Sequence, residues 1–364
     1  MRFPDDARWM AQAIALAQRG LCSTAPNPRV GCVLVKQGEW LADGWHRMAG
    51  GPHAEVDALQ QAGERARGAT AYVSLEPCNH HGRTGPCTEA LIHAGIARVV
   101  YGMADPNPRV AGQGLQRLQQ AGITVDGPLQ PACAAALNPG FIKRMRTGLP
   151  FVRIKMAMSL DGRTAMASGE SQWITGDTAR RDVQQWRARS CAILTSAATA
   201  LADHAQLTVR EPDCLVALGS RRPLRVLLDT HARVPLTAPL FAGDAPTLWY
   251  TNGAAPSVLP ANVTHRLLPT DTQQHADLTA VLQQLAQREC NEVLVEAGPT
   301  LTGSLLQAQL VDELLIYMAP CLLGSNARPL FDLPFATMAE AQSLTVRDLR
   351  AVGNDWRFTL TPRN

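Results

Sequence analysis

Short apolar runs alternate along the chain with stretches whose apolar positions recur every three or four residues. Near the start, Trp9, Ala13, Leu16 and Ala17 fall at helical spacing behind Asp5, Asp6 and Arg8. That spacing predicts a first helix, not a signal peptide, which would carry an unbroken apolar core. VGCVLV (30–35) predicts a buried strand, GPHAEVDALQQAG (51–63) a helix starting at Pro52, and ATAYVSLEP (69–77) a strand. CTEALIHAG (87–95) predicts a helix closed by Gly95, and IARVVYGM (96–103) another strand. Helices and strands in this order predict an α/β sheet sandwiched between helices.

Around LNPGFIKRMRTGLPF (137–151) the helical texture breaks into Gly/Pro punctuation, which places a domain boundary near Gly148, with domains 1–147 and 148–364. The second domain alternates again. FVRIKMAMSLDGR (151–163), CAILTS (191–196), PLRVLLDT (223–230), TLWYT (247–251), EVLVEAG (292–298) and DELLIYMAP (312–320) predict strands. Ala254–Pro269 and Leu207–Arg222 read as loops or strand edges.

Composition narrows the class. A chain of 364 residues, 46% hydrophobic and 18% charged, has enough apolar residue for two globular cores. The net charge of +3 is too small to mark a nucleic-acid or membrane surface. No apolar run is long enough to span a bilayer. The nine cysteines are odd in number and scattered, which points to a reducing, cytoplasmic setting and against a disulfide framework. Basic residues are almost all arginine, the only lysines being Lys36, Lys143 and Lys155.

The chemistry concentrates in EPCNHHGRTGPC (76–87) and in the upstream His53-Ala54-Glu55. Two cysteines with histidines between them admit three readings: a disulfide loop, a closed structural zinc knuckle, or part of an open catalytic metal site. His53, Cys78 and Cys87 make three zinc ligands, and a catalytic zinc keeps one position open for water. His80, His81 or His93 could instead close a structural site. An H-x-E followed by P-C…C is the pattern of zinc deaminases, in which the glutamate moves protons and is not a ligand. Glu55 has that position. Eight residues separate the cysteines where the general pattern has two, so NHHGRTGP would be a loop bordering the pocket. Its Arg83 and Thr84 are candidate phosphate donors. In the second domain, NEVLVEAG followed by PTLTGSLLQ reads as a strand, a tight turn and a helix from Pro299, a geometry that suits a diphosphate. No G-x-G-x-x-G is present, so any nucleotide is bound by a fold other than the Rossmann type.

APNPRVGCVLV (25–35), HAE, EPCNHHGRTGPC and GMADPNPRVAGQG (102–114) resemble the deaminase half of the bifunctional riboflavin-biosynthesis deaminase–reductases. IKMAMSLDGRTA (154–165), SQWITG (171–176), ILTSAATALADHAQLTVR (193–210) and VEAGPTLTGSLL (295–306) resemble their reductase half, so the resemblance covers nearly the whole chain. The long spacing between the cysteines is characteristic of that branch. The resemblance implies an N-terminal cytidine-deaminase-like α/β/α sandwich and a C-terminal dihydrofolate-reductase-like α/β domain. It implies hydrolytic deamination of a pyrimidine ribotide with Zn2+, then reduction of the ribosyl group with NADPH.

Position by position, it implies zinc ligands His53, Cys78 and Cys87, Glu55 as proton donor, and Asn27 near the substrate. Ser171, Arg187, Leu207, Arg210 and Glu296 resemble substrate contacts, and Ala157, Trp173, Thr199, Asp203 and Gly298 NADPH contacts. Lys155, on the strand entering that pocket, is a candidate for the sugar, or only covers a strand end. Trp173 either stacks beside the nicotinamide or fills core; Glu296 either orients sugar hydroxyls or caps a strand. A homo-oligomer, a dimer built through the reductase half, is implied by the family alone. Where the family commonly has Asp-Asp-Pro or Asp-Asn-Pro, this chain has Asp203-His204-Ala205-Gln206, which predicts a looser loop and weaker cofactor binding. Two rival readings stay open: a deaminase with a degenerate reductase half, and a nucleic-acid-editing deaminase, the latter opposed by the few aromatic residues and small net charge.

Overall fold

The computed structural model describes residues 5–80, 85–108, 110–272 and 275–363. The chain forms two compact units, Met1–Gly148 and Leu149–Asn364. No helix among the described residues is long and apolar enough to cross a membrane.

The first unit is built on strands β1 (Gly31–Lys36), β2 (Glu39–Trp45), β3 (Thr70–Val73), β4 (Arg98–Tyr101) and β5 (Thr124–Asp126), in the order β2-β1-β3-β4-β5. The β1 pairings are antiparallel, whereas β3, β4 and β5 run parallel. Alternation along β1 decides which helices pack where. Cys32 and Leu34 point to the face covered by α2 (Ala54–Ala62), α3 (Cys87–His93) and α4 (Gln113–Gln120). Val33 and Val35 point to the other face, against α1 (Asp6–Ala17) and α5 (Pro131–Ala136), with α6 (Pro139–Thr147) closing the unit. The result is the α/β/α sandwich expected from the sequence.

The second unit carries β6 (Phe151–Ser159), β7 (Arg163–Ala165), β8 (Ala192–Ser196), β9 (Leu224–Leu228), β10 (Thr247–Thr251), β11 (Val263–Leu267), β12 (Glu292–Val295), β13 (Glu313–Ala319), β14 (Arg328–Pro329), β15 (Leu344–Val352) and β16 (Asp355–Pro362). Nine of them form one sheet in the order β11-β10-β9-β8-β12-β6-β13-β16-β15, and β7 pairs separately with β14. Pairing is parallel from β11 to β13 and antiparallel through β16 and β15. Helices α10 (Leu278–Gln287) and α11 (Pro299–Gln307) cover one face; α7 (Asp177–Arg189) and α8 (Ala197–Ala202) lie on the other. The inner parallel strands β8, β10 and β12 are buried on both sides, which is why they read as short, largely apolar runs, whereas β11 at the edge is mostly exposed.

Three local expectations are corrected. Leu207–Arg222 is not all loop: Pro212–Leu218 forms α9, started by Pro212 and anchored by buried Cys214 and Leu218, four residues apart. The helix expected from Pro52 begins at Ala54, and His53 is its extended N-cap. The long strand expected over 151–163 stops at Ser159. Asp161 there accepts hydrogen bonds from Leu323 N (3.1 Å), Gly324 N (2.8 Å) and the Ser159 hydroxyl, turning the chain into β7.

Candidate functional site

In the first unit, three donors separated in sequence meet at the helix starts. His53 immediately precedes α2, Cys78 follows β3 in a coil, and Cys87 is the first residue of α3. One donor atom of each lies within 4.8 Å of the others. His53 Nδ1 is 3.2 Å from Cys87 Sγ and 3.5 Å from Cys78 Sγ. Both cysteines are free thiols, which removes the disulfide reading. The Cys87 backbone N–H donates to Cys78 Sγ (3.4 Å), and Thr88 N donates to Cys78 O (3.2 Å), so the start of α3 holds the Cys78 loop in place. Hydrogen bonds from the Cys87 thiol, then from His53 and the Cys87 N–H, pull the Cys78 thiol down to about 4, while donating that proton keeps Cys87 well above the ordinary thiol range. An imidazole and two thiols, one of them drawn toward the thiolate form by its hydrogen-bonding neighbours, suit Zn2+.

Glu55 sits in the first turn of α2, 3% exposed. Burial, aided by the nearby Cys78, pushes its carboxyl up to about 7. Asn27 is tied in through a residue that sequence reasoning missed. Its amide lies 3.0 Å from His46 Nε2, His46 Nδ1 lies 2.9 Å from Pro52 O, and the His46 and His53 rings meet edge to face at 5.2 Å. The only signal for His46 was its place directly after a strand that was itself not expected. Glu76 was also missed. Buried beside Pro77-Cys78, it accepts the backbone N–H groups of Asp105 (3.1 Å), Gly112 (3.1 Å) and Gly114 (3.2 Å). A Cβ at Gly114 would lie 2.1 Å from Pro77 O, so the loop reaches Cys78 only with glycine there. Arg83 and Thr84 lie outside the described residues.

In the second unit, a cavity of about 1050 Å³ opens where the C-terminal ends of β6, β8, β9 and β12 line up. Open parallel sheets bind ligands at that edge. Lys155, Ala157, Ser171, Trp173, Arg187, Thr199, Asp203, Leu207, Arg210, Glu296 and Gly298 all line it, so every residue expected for this half is brought together. Trp173 is 69% exposed with the Arg180 guanidinium 4.5 Å over its ring, which overturns the core-filling reading. Glu296 is no strand cap: it accepts from Arg187 Nε (2.6 Å) and Nη2 (2.8 Å), and Arg187 Nη1 donates to Thr208 O (3.0 Å). Burial pushes the Glu296 carboxyl up, but Arg187, with Lys155 and Arg210, outweighs it and holds the group below its ordinary range. Burial pushes the Lys155 ammonium down against the pull of Glu296.

Thr199 Oγ1 accepts from Gly298 N (3.0 Å), locking the start of α11 to α8. The Ser171 hydroxyl donates to Asp203 Oδ1 (3.1 Å), and Gln172 Nε2 donates to Asp203 O (3.4 Å), so two segments clasp across the DHAQ loop. Arg180, Thr230, His231, Arg233 and Arg328 also line the cavity and were not anticipated. They come from α7, the turn after β9 and β14, segments with no shared sequence pattern.

Residues 4–103 match the cytidine and deoxycytidylate deaminase zinc-binding region, and residues 150–358 match the RibD C-terminal domain. The chain is 52% identical to the riboflavin biosynthesis protein RibD of Escherichia coli (strain K12), over 96% of this chain and 97% of that protein. It is 47% identical to the RibD of Haemophilus influenzae, over 98% of each. Among solved structures, Acinetobacter baumannii RibD superposes with a TM-score of 0.90 at 45% identity, covering 99% of both chains. A diaminohydroxyphosphoribosylaminopyrimidine deaminase/5-amino-6-(5-phosphoribosylamino)uracil reductase from Thermotoga maritima gives 0.88 at 32% identity, covering 98% of this chain and 99% of that one. With both halves matched in order and relatives aligned over nearly the whole chain, the chain belongs to the RibD family, the bifunctional deaminase–reductases of riboflavin biosynthesis.

Proposed function

We propose that the first unit, the zinc-dependent deaminase domain, hydrolytically deaminates 2,5-diamino-6-ribosylamino-4(3H)-pyrimidinone 5′-phosphate. The second unit, the reductase domain, then reduces the ribosyl group of the product to a ribityl chain, giving 5-amino-6-ribitylamino-uracil 5′-phosphate. The observation that carries the reading is the convergence of His53, Cys78 and Cys87 beside the buried carboxyl of Glu55. Those three side chains would hold Zn2+, which when bound supplies the Lewis acidity that brings ionisation of water toward neutral pH. Glu55 takes one proton from the attacking water and delivers it to the ring nitrogen, then takes the second from the new hydroxyl and passes it to the amino group, which leaves as ammonia. Its burial lets it hold that proton within the pocket between the two transfers. Asn27, steadied by His46, lies on the substrate side, and Arg83 and Thr84 are assigned to the phosphate.

In the second unit Ala157, Trp173, Thr199, Asp203 and Gly298 would hold NADPH, which supplies hydride. The opened sugar lies against Lys155, Ser171, Leu207, Arg210 and the Arg187–Glu296 pair. Arg187 spends one edge of its fork on Glu296, so its part is to fix that carboxylate toward the sugar hydroxyls, while Arg210 is the freer cation for the phosphate. We place the enzyme in the cytoplasm on the strength of its thiols, which are free among the described residues. A homodimer through the second unit is supported by Val346, Leu349 and Trp356, exposed on the outer β15–β16 hairpin.

Mass spectrometry of the aminopyrimidine ribotide incubated with the protein tests the reaction. The expected record is replacement of an amino group by oxygen without NADPH, then a gain of two hydrogens with it. No change with zinc bound would refute the catalytic reading, and deamination alone would leave a degenerate reductase half.

A further inference from the structure

Tryptophan is on average a well-buried residue, yet Trp173 stands 69% exposed where it lines the cavity of the second unit. A smaller cavity of about 460 Å³ adjoins, between the start of α7, the end of β13 and the start of β16, and Trp173 and Arg180 line both. An exposed indole in such a place needs something to hold it.

The segment that carries Trp173 is tied down on both sides. Before it, the Ser171 hydroxyl and the Gln172 amide donate to Asp203. After it, Gly176 N, at the start of α7, donates to Asp355 Oδ2 (2.8 Å), and Asp355 is 4% exposed. The hairpin tip that brings Asp355 there fits closely against α7: a Cβ at Gly353, whose φ is +66°, would lie 2.9 Å from Thr178. Between these ties the indole makes no hydrogen bond among the described residues.

Arg180, in the first turn of α7, supplies the missing support. Its guanidinium lies 4.5 Å over the indole ring. Its Nη1 donates to Thr175 O (2.6 Å), and its Nη2 donates to the Asp177 carboxylate. A guanidinium can do all three at once, because it donates in its plane and stacks through its faces. The contact covers one face of the indole and leaves the other to a ligand. A flat heteroaromatic ring is the chemical class that such a face takes.

We propose that Arg180 is a positioning residue of the reductase half: it fixes the Trp173 indole as a one-sided stacking platform for the nicotinamide ring and does not itself touch the cofactor. This rests on the NADPH reading above. Arg180→Met and Arg180→Ala are expected to fold, since Asp177 is 77% exposed and needs no partner, and Asp355 still caps α7. The test is calorimetric titration of the full chain with NADPH and with 2′,5′-ADP, which lacks the nicotinamide. The proteins are the wild type, Arg180→Met, Arg180→Ala, Trp173→Ala and the double variant Arg180→Met/Trp173→Ala.

Each Arg180 variant should weaken NADPH by about 5- to 10-fold, the scale of one aromatic stacking contact, and leave 2′,5′-ADP within about twofold. The double variant should bind NADPH within about twofold of Trp173→Ala, because both substitutions remove the same contact. In turnover, the KM for NADPH should rise in Arg180→Met while that for deaminated substrate holds. Full additivity in the double variant would overturn the assignment, as would equal weakening of both nucleotides or wild-type NADPH affinity in the Arg180 variants. A rise in the KM of the substrate in place of that of NADPH would overturn it too, and each of these results leaves the cofactor reading standing. Binding of neither nucleotide by the wild type would take down the cofactor reading with it.

Discussion

Arg187 and Glu296 form a two-point ion pair in the wall of the reductase cavity, 2.6 and 2.8 Å between donors and acceptors, with both side chains 12% exposed. The pair joins α7 to the end of β12 and holds a carboxylate where the sugar is expected. Arg187→Met would leave that carboxylate buried without its partner, at a cost of about 3–5 kcal/mol. The expected outcome is a lower unfolding temperature for the second unit, loss of reduction and retained deamination. Unchanged reduction by a stably folded variant would remove Glu296 and Arg187 from the sugar site.

The same pair sets a pH dependence. The folded-state pKa of Glu296 lies below its ordinary value, chiefly because Arg187 overcomes the burial penalty. Its contribution to stability is therefore complete above the unfolded carboxylate pKa and is lost as pH falls through the depressed folded value. Calorimetric unfolding of the second unit should show its midpoint dropping below about pH 4.5, with a shallower drop in Arg187→Met. An equally steep acid loss in the variant would show that other carboxylates dominate.

Glu55→Gln keeps the shape of the side chain and removes its capacity to carry a proton. Zinc content should stay near that of the wild type while ammonia release falls by about a hundredfold or more. Reduction of substrate that is already deaminated should be unaffected. If zinc is lost together with activity, Glu55 is a structural support of the metal site.

Removing the metal separates the halves. Treatment with a strong chelator should end ammonia release, leave the NADPH-dependent gain of two hydrogens on deaminated substrate, and expose Cys78 and Cys87 to thiol reagents. Continued deamination by metal-free protein would refute the assigned ligand set.

Gly114→Ala tests the loop that Glu76 fastens beside Cys78. The added methyl meets the Pro77 carbonyl, and forcing it in costs about 1–3 kcal/mol. The first unit should melt earlier and hold zinc less tightly, with the second unit unaffected. Normal zinc affinity in this variant would uncouple the loop from the metal site.

Local order made much of this protein legible from its sequence. The runs in β8, β10 and β12 needed no tertiary information, because a parallel strand buried on both faces is largely apolar; the buried Arg153 of β6 and Glu292 of β12 depart from that by pairing with each other. The candidate metal ligands were legible because H-x-E, P-C and the second cysteine sit at element boundaries that Pro and Gly announce. The helix Pro212–Leu218 was less legible, since only two of its residues are buried. The hairpin β15–β16 was not anticipated either: much of β15 is exposed, and its outer face has no alternation to read.

What only the tertiary structure decided lies between segments distant in the chain. His46 matters because folding brings it between Asn27 and His53. Glu76 matters because three backbone N–H groups from a later loop arrive around it. Arg187 faces Glu296 across 109 positions, and Arg233 lines the cavity from a turn whose backbone is held by Asp229. Periodicity records whether a side chain is buried. It does not record which buried or cavity-lining groups meet, because those pairings are set by sheet order and by the desolvation of charges that must find partners.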